Sequence, residues 1–207
     1  MFPIAQDFFN SDRTVEGVST THKGTPQDEV TPVELKTVKV VEKTITDAID
    51  KLASIASVDV IMTPGNHDLT KTVMFGCLLE AYYRNTPHVT ITNDGEKHHA
   101  YGYGQTYFFI THGDGLHQQA MPLLMVQFAP ELFGKTKYHE ILSGHLHNKS
   151  QTKYGVMKET MGIRHTVLPS LTMADRWHKS KGYVSVSESI CFICDKEFGI
   201  VETHSFR

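Results

Sequence analysis

The sequence predicts a layered α/β domain with packed sheets. Helical-period segments alternate with short β-branched apolar runs as far as about residue 147, and the chain beyond reads as strands and turns only. The length of 207 residues, with 40% hydrophobic and 21% charged residues, suits a single domain over 1–207 able to bury a core. A net charge of -3 gives no general pull toward nucleic acid or an anionic membrane, which leaves the substrate open. No apolar run approaches the roughly 20 residues that span a bilayer. Residues 1–4, Met-Phe-Pro-Ile, lack the basic start and apolar body of a signal peptide, so a cytoplasmic protein without a membrane partner is expected. The three cysteines, Cys77, Cys191 and Cys194, are expected as reduced thiols. The CxxC spacing of Cys191 and Cys194 falls in a β-rich apolar run with no second pair, and it reads as buried strand rather than zinc or redox chemistry.

Taken in order, residues 11–25 are polar, contain glycine and show no period, so they read as a long loop. Thr25 can cap a helix, Pro26 suits its first turn, and Asp28 favours the positive end of its dipole. Val30, Val33, Leu35, Val38, Val41, Ile45, Ile49 and Leu52 then recur at helical spacing, predicting a helix over about 27–56. Val58-Asp59-Val60-Ile61-Met62 is a buried strand halted by Thr63-Pro64-Gly65. A second helix follows over 70–84. Further strands are predicted at VTITND, TYFFITH and HEILSGH, with a helix over about 117–129 between the last two.

Three of these strands end in polar clusters that apolar packing does not explain: Gly65-Asn66-His67-Asp68, Thr111-His112-Gly113-Asp114 and Gly144-His145-Leu146-His147. Loops after the carboxyl ends of strands in a layered α/β sheet converge on one rim, which is where the site is predicted. Imidazole suits transition-metal ions, carboxylates are hard anionic donors able to bridge two of them, and an amide oxygen is a neutral ligand. Alternate residues of a short extended segment point the same way, so His145 and His147 can approach neighbouring metals. Glycine before Asn66 and His145 permits tight turns and close backbone approach.

GNHD, then a histidine after a strand, then GHLH resembles the calcineurin-like metallophosphoesterase family. The match spans residues 65–147, and Gln6-Asp7-Phe8-Phe9-Asn10 extends it as a variant of the family's Gly-Asp-x-x-(Asn or Asp) segment, with Gln6 in place of glycine. The resemblance implies a four-layer αββα sandwich holding two divalent metal ions, manganese first and iron, zinc or magnesium as alternatives. It implies that Asp7 bridges the two ions, that Asn66, His112 and His145 complete one of them, and that His147 serves the other. His67 is then placed beside the scissile phosphate, to stabilise charge or protonate the leaving oxygen, with Asp68 orienting it or stabilising its charge. Two ions about 4 Å apart bind a phosphate oxygen and lower the pKa of a bridging water, so the implied nucleophile is a bridging hydroxide.

The family also carries an Asp-x-His on its first strand, upstream of the bridging aspartate, and only six residues precede Asp7. The expectation is therefore a sandwich lacking its first strand, with Asp-x-His supplied by a further N-terminal segment or a partner; Asp12, His22 and Asp28 are the substitutes within the chain. Asp-Phe-Phe-Asn and Gly-His-Leu-His resemble the DNA-repair exonuclease branch more than the serine/threonine phosphatase branch, and LPSLTMADRWHKSKGY resembles phage-encoded phosphoesterases. A phosphodiesterase or nuclease acting on DNA is the leading function. A phosphomonoesterase and a noncatalytic remnant or split-enzyme fragment are the alternatives. Asn10 and the tail residues Arg176, Trp177 and Lys179 are candidate substrate contacts, since cations interleaved with aromatics suit phosphates and stacked bases.

Overall fold

The computed structural model describes residues 1–5, 7–27, 31–145, 157–169 and 187–207, and for 31–34 and 157–158 the backbone alone. The chain is a mixed α/β protein dividing into two compact units, Met1–Lys97 and His98–Arg207. Among the described residues no helix is long and apolar enough to cross a membrane.

The first unit is built on a parallel sheet of three strands in the order β1 (Phe2–Ala5), β4 (Val58–Thr63), β5 (Val89–Thr92). Apart from half-buried Asp59, every residue of β4 is buried, which is why it reads as an almost unbroken apolar run. Helix α1 (Thr31–Ala53) buries Ile49 and half-buries Val38, Val41 and Ile45 on one face, while Lys43 and Asp47 pair across one turn of its wet face. Helix α2 (Leu69–Tyr83) adds Phe75, Leu79 and Tyr83 to the same core, with Ile4, Phe9, Val60 and Met62.

Residues 11–25 do not form a structureless loop. They fold into a hairpin of β2 (Arg13–Val15) and β3 (Val18–Thr20), joined by Glu16 and Gly17, both at positive φ. That is the two-residue turn whose twist matches paired strands, and a glycine in its second place is its usual signature. The first helix is shorter than the expected 27–56. At its end Ile55 bonds back to the Leu52 carbonyl in a tightened last turn. Asp28 lies outside the described residues.

In the second unit a five-stranded mixed sheet runs in the order β6 (His98–Tyr103), β7 (Thr106–Thr111), β8 (Tyr138–Ser143), β10 (Ile163–Val167), β9 (Met157–Thr160). The inner pairs β7–β8 and β8–β10 are parallel, and the outer pairs antiparallel. All six residues of β7 are buried. Helix α3 (Met121–Phe128) packs Met121 and Met125 onto Tyr107, Phe109 and Ile141. The helix expected over 117–129 starts later and stops at Ala129, because Pro130 cannot continue the backbone ladder and instead opens a short helix α4 (Pro130–Lys135). Strands β11 (Ser189–Asp195) and β12 (Gly199–Phe206) form a separate hairpin. Cys191 and Cys194 do lie on a strand there, but Cys191 is exposed and Cys194 half-buried rather than buried. Among the described residues β11 pairs only with β12, and a two-stranded ribbon leaves much of its surface in water.

Candidate metal centre

In the first unit the parallel pairing of β1 with β4 aligns Ala5 with Thr63, so their carboxyl ends leave the sheet together. Asp7 follows one end and Gly65-Asn66-His67-Asp68 the other. The approach is close enough that a Cβ on Gly65 would lie on the Asp7 carboxylate and 2.8 Å from the Asp7 main-chain nitrogen. Glycine is required there for space, not conformation. The Asp7 carboxylate accepts the His67 main-chain N–H at 2.8 Å, and its other oxygen lies 3.9 Å from His67 Nε2. Asn66 is half-buried beside it.

His67 is oriented by a group the sequence did not suggest. Its Nδ1 lies 3.1 Å from the main-chain carbonyl of Asn10. A carbonyl only accepts, so the ring proton sits on Nδ1, and Nε2 is left facing Asp7. Asp68 does not pair with that ring. It is fully buried, and its two oxygens accept the main-chain N–H groups of Phe9 and Gly65 at 2.8 and 2.9 Å. Burial pushes the Asp68 carboxyl above its ordinary range; its hydrogen bonds, the one from the Phe9 amide foremost, pull the other way without overcoming it, and the Asp7 charge adds to the rise. Asp68 thus braces the loop after β4 against the segment carrying Asp7 and Asn10, and the Asn10 carbonyl orients the imidazole in its place. Asn10 enters here through its backbone carbonyl.

Asp12 and His22 are occupied by each other and by α2. One Asp12 oxygen accepts the N–H groups of Thr70 and Lys71, at 2.7 and 2.9 Å, and the other meets the Thr70 hydroxyl and His22 Nδ1, both at 2.9 Å. Those amides are the second and third of α2, so Asp12 caps the helix from 58 residues away. Burial alone would raise its carboxyl, but the bonds from Lys71, His22 and Thr70 outweigh it and hold the group below its ordinary value. With its acceptor positions engaged, Asp12 is not the substitute ligand the sequence allowed.

In the second unit β7 and β8 run parallel with Thr111 opposite Ser143, so His112 and His145 follow adjacent strand ends. The Gly144 N–H donates to the His112 carbonyl at 3.1 Å, tying the two exits together. His112 is 1% exposed, and its Nε2 lies 3.1 Å from Nδ1 of His145, with ring centroids 4.9 Å apart and nearly perpendicular. Two imidazole nitrogens each about 2.1 Å from one first-row ion stand about 3.0 Å apart at a right angle and about 3.4 Å at a tetrahedral one, so this spacing fits a shared ion. Of the sequence-expected residues, His147, Arg176, Trp177 and Lys179 lie outside the described residues.

The backbone marks two of these residues independently. Among the described residues four that are not glycine have positive φ: Asp7 (54°), Glu16 (49°), His145 (61°) and Met161 (52°). Glu16 and Met161 are accounted for by two-residue hairpin turns, each followed by a glycine also at positive φ. Asp7 and His145 sit in no hairpin; each follows a strand that runs parallel to its neighbour. Comparison of the chain with protein-family models, with curated proteins and with solved structures finds no match.

Proposed function

We propose that this protein is a divalent-metal-dependent phosphoester hydrolase with the four-layer αββα metallophosphoesterase architecture, acting on a phosphodiester of the DNA kind. The observation that carries this reading is the left-handed backbone at Asp7 and His145, the two such residues among the described ones that no hairpin turn explains. Backbone strain outside turns gathers where a side chain must be aimed. The family resemblance assigns both residues as metal ligands without reference to backbone conformation. The 3.1 Å spacing of His112 Nε2 and His145 Nδ1 supports it.

In this reading Asp7, Asn66, His112, His145 and His147 hold two ions, manganese being the first expectation. Bound ions would neutralise phosphoryl charge and acidify water. The chain's own residues supply the rest. The Asn10 carbonyl keeps the His67 ring fixed with its proton on Nδ1, so any proton His67 gives to a leaving oxygen departs from Nε2 of the doubly protonated ring. Asp68 holds that loop in place through the Phe9 and Gly65 amides.

Metal content after manganese loading tests the proposal, followed by turnover of bis-p-nitrophenyl phosphate, its monoester, and single-stranded and duplex DNA. Two ions per chain and preference for the diester are expected. One ion per chain would fit a half-built centre completed by Asp-x-His from a partner or a further segment. Preference for the monoester would move the substrate to small phosphomonoesters, and no stoichiometric metal would end the reading.

A further inference from the structure

Where β7, β8 and β10 end and the antiparallel β6 begins, two hydroxyl groups stand side by side. Thr111 and Ser143 are register partners across β7 and β8, and both are fully buried. Each is hydrogen-bonded by an imidazole from the strand on its outer flank: Thr111 Oγ1 by His98 Nδ1 at 2.8 Å, Ser143 Oγ by His165 Nε2 at 2.7 Å. His98 is itself held by stacking on Phe109 and by the edge of Phe128. His165 is 6% exposed. Directly beyond the hydroxyls the chain turns out into His112, and through Gly144 into His145.

We propose that Thr111 and Ser143, gripped by His98 and His165, are positioning residues that fix where the His112 and His145 imidazoles leave the sheet. The left-handed backbone at His145 needs such support, because an uncommon conformation persists only where its surroundings over-determine it. Three bonds surround that exit: Ser143 Oγ to His165, the Leu168 N–H to the Ser143 carbonyl at 2.7 Å, and the Gly144 N–H to the His112 carbonyl at 3.1 Å. Strand β10 thus holds β8 from one side while β7 holds it from the other. The inference rests on the metal reading of the two imidazoles.

The test is cobalt(II) titration of the full chain by calorimetry and visible absorption, since the spectrum reports ligand geometry and not stability. Thr111→Val keeps shape and loses only the hydroxyl, and Ser143→Ala does nearly the same. Each is expected to weaken cobalt binding about 10-fold or more, the range seen when groups orienting metal ligands are removed, and to change the visible bands. Thr111→Ser should restore both. Thr106→Val is the control, a fully buried hydroxyl at the other end of β7 whose contact is Cys194 Sγ; it should bind as wild type. If Ser143→Ala fails to fold, His165→Gln reads the same contact. Wild-type affinity and spectrum in Thr111→Val and Ser143→Ala, or equal loss in Thr106→Val, would overturn the inference. His145→Ala separates the two levels: if it binds cobalt like wild type the metal reading itself falls, and this inference with it.

Discussion

Replacing Asp12 by alanine removes the cap of α2 in one step. The carboxylate is 5% exposed and receives the Thr70 and Lys71 amides, the Thr70 hydroxyl and His22. Capping by such a group is worth about 1–2 kcal/mol. A hydroxyl bonded to a buried carboxylate adds about 1.5 kcal/mol. His22 is 44% exposed, so its ion pair adds little. The expected loss is about 3 kcal/mol, or roughly 6–12 °C in melting temperature at this chain length. Urea unfolding followed by circular dichroism measures it, and Asp12→Asn, which keeps one acceptor oxygen for both amides, should recover more than half. The pH dependence has a fixed sign. The folded carboxyl titrates below its ordinary value, so its stabilisation is fully present above the unfolded value of about 3.9 and is lost as pH falls through the folded one. Asp12→Ala should therefore lack that share of the acid-induced loss. An alanine variant unfolding at the wild-type midpoint, with wild-type acid sensitivity, would refute the cap.

Gly65→Ala should cost about 1–3 kcal/mol and weaken metal binding, because the new methyl meets the Asp7 backbone as well as its carboxylate; paired denaturation and metal titration check this. His67→Ala is expected to abolish phosphodiester turnover with metal content unchanged, and a metal loss equal to that of Asn66→Ala would contradict its role. Trp177→Ala should weaken DNA binding in a fluorescence anisotropy titration if the tail lines a nucleic-acid path, and unchanged affinity would return that segment to an ordinary surface loop.

What the sequence made legible were segments whose burial is symmetric or strongly periodic. Strands β4 and β7, being buried on both faces, announce themselves as apolar runs, and α2 emerged within one residue at each end. Strand β6, HHAYGY, carries no such pattern, since its existence depends on pairing with β7 from Thr106 to Thr111. The β2–β3 hairpin escaped because its strands have three residues each, although Glu16-Gly17 was a turn signal. At the candidate centre the residue types at strand ends were legible, as functional side chains cluster there. The Asn10 carbonyl and the Asp12 cap were not. A backbone acceptor leaves no mark in composition, and a carboxylate reaching a helix 58 residues away has no local spacing to betray it.

The left-handed turns at Asp7 and His145 also set the terms on which this protein can change. For a residue with a Cβ that conformation costs about 1–2 kcal/mol, whereas glycine enters it freely and gives back part of the gain as unfolded-chain entropy. Selection for folding alone would favour glycine at both positions. A library screened only for heat resistance or soluble yield should accumulate Gly at 7 and 145, becoming sturdier while losing the two proposed metal ligands. Drift at these two positions is therefore a gauge of whether a lineage keeps the proposed metal ligands or only the scaffold.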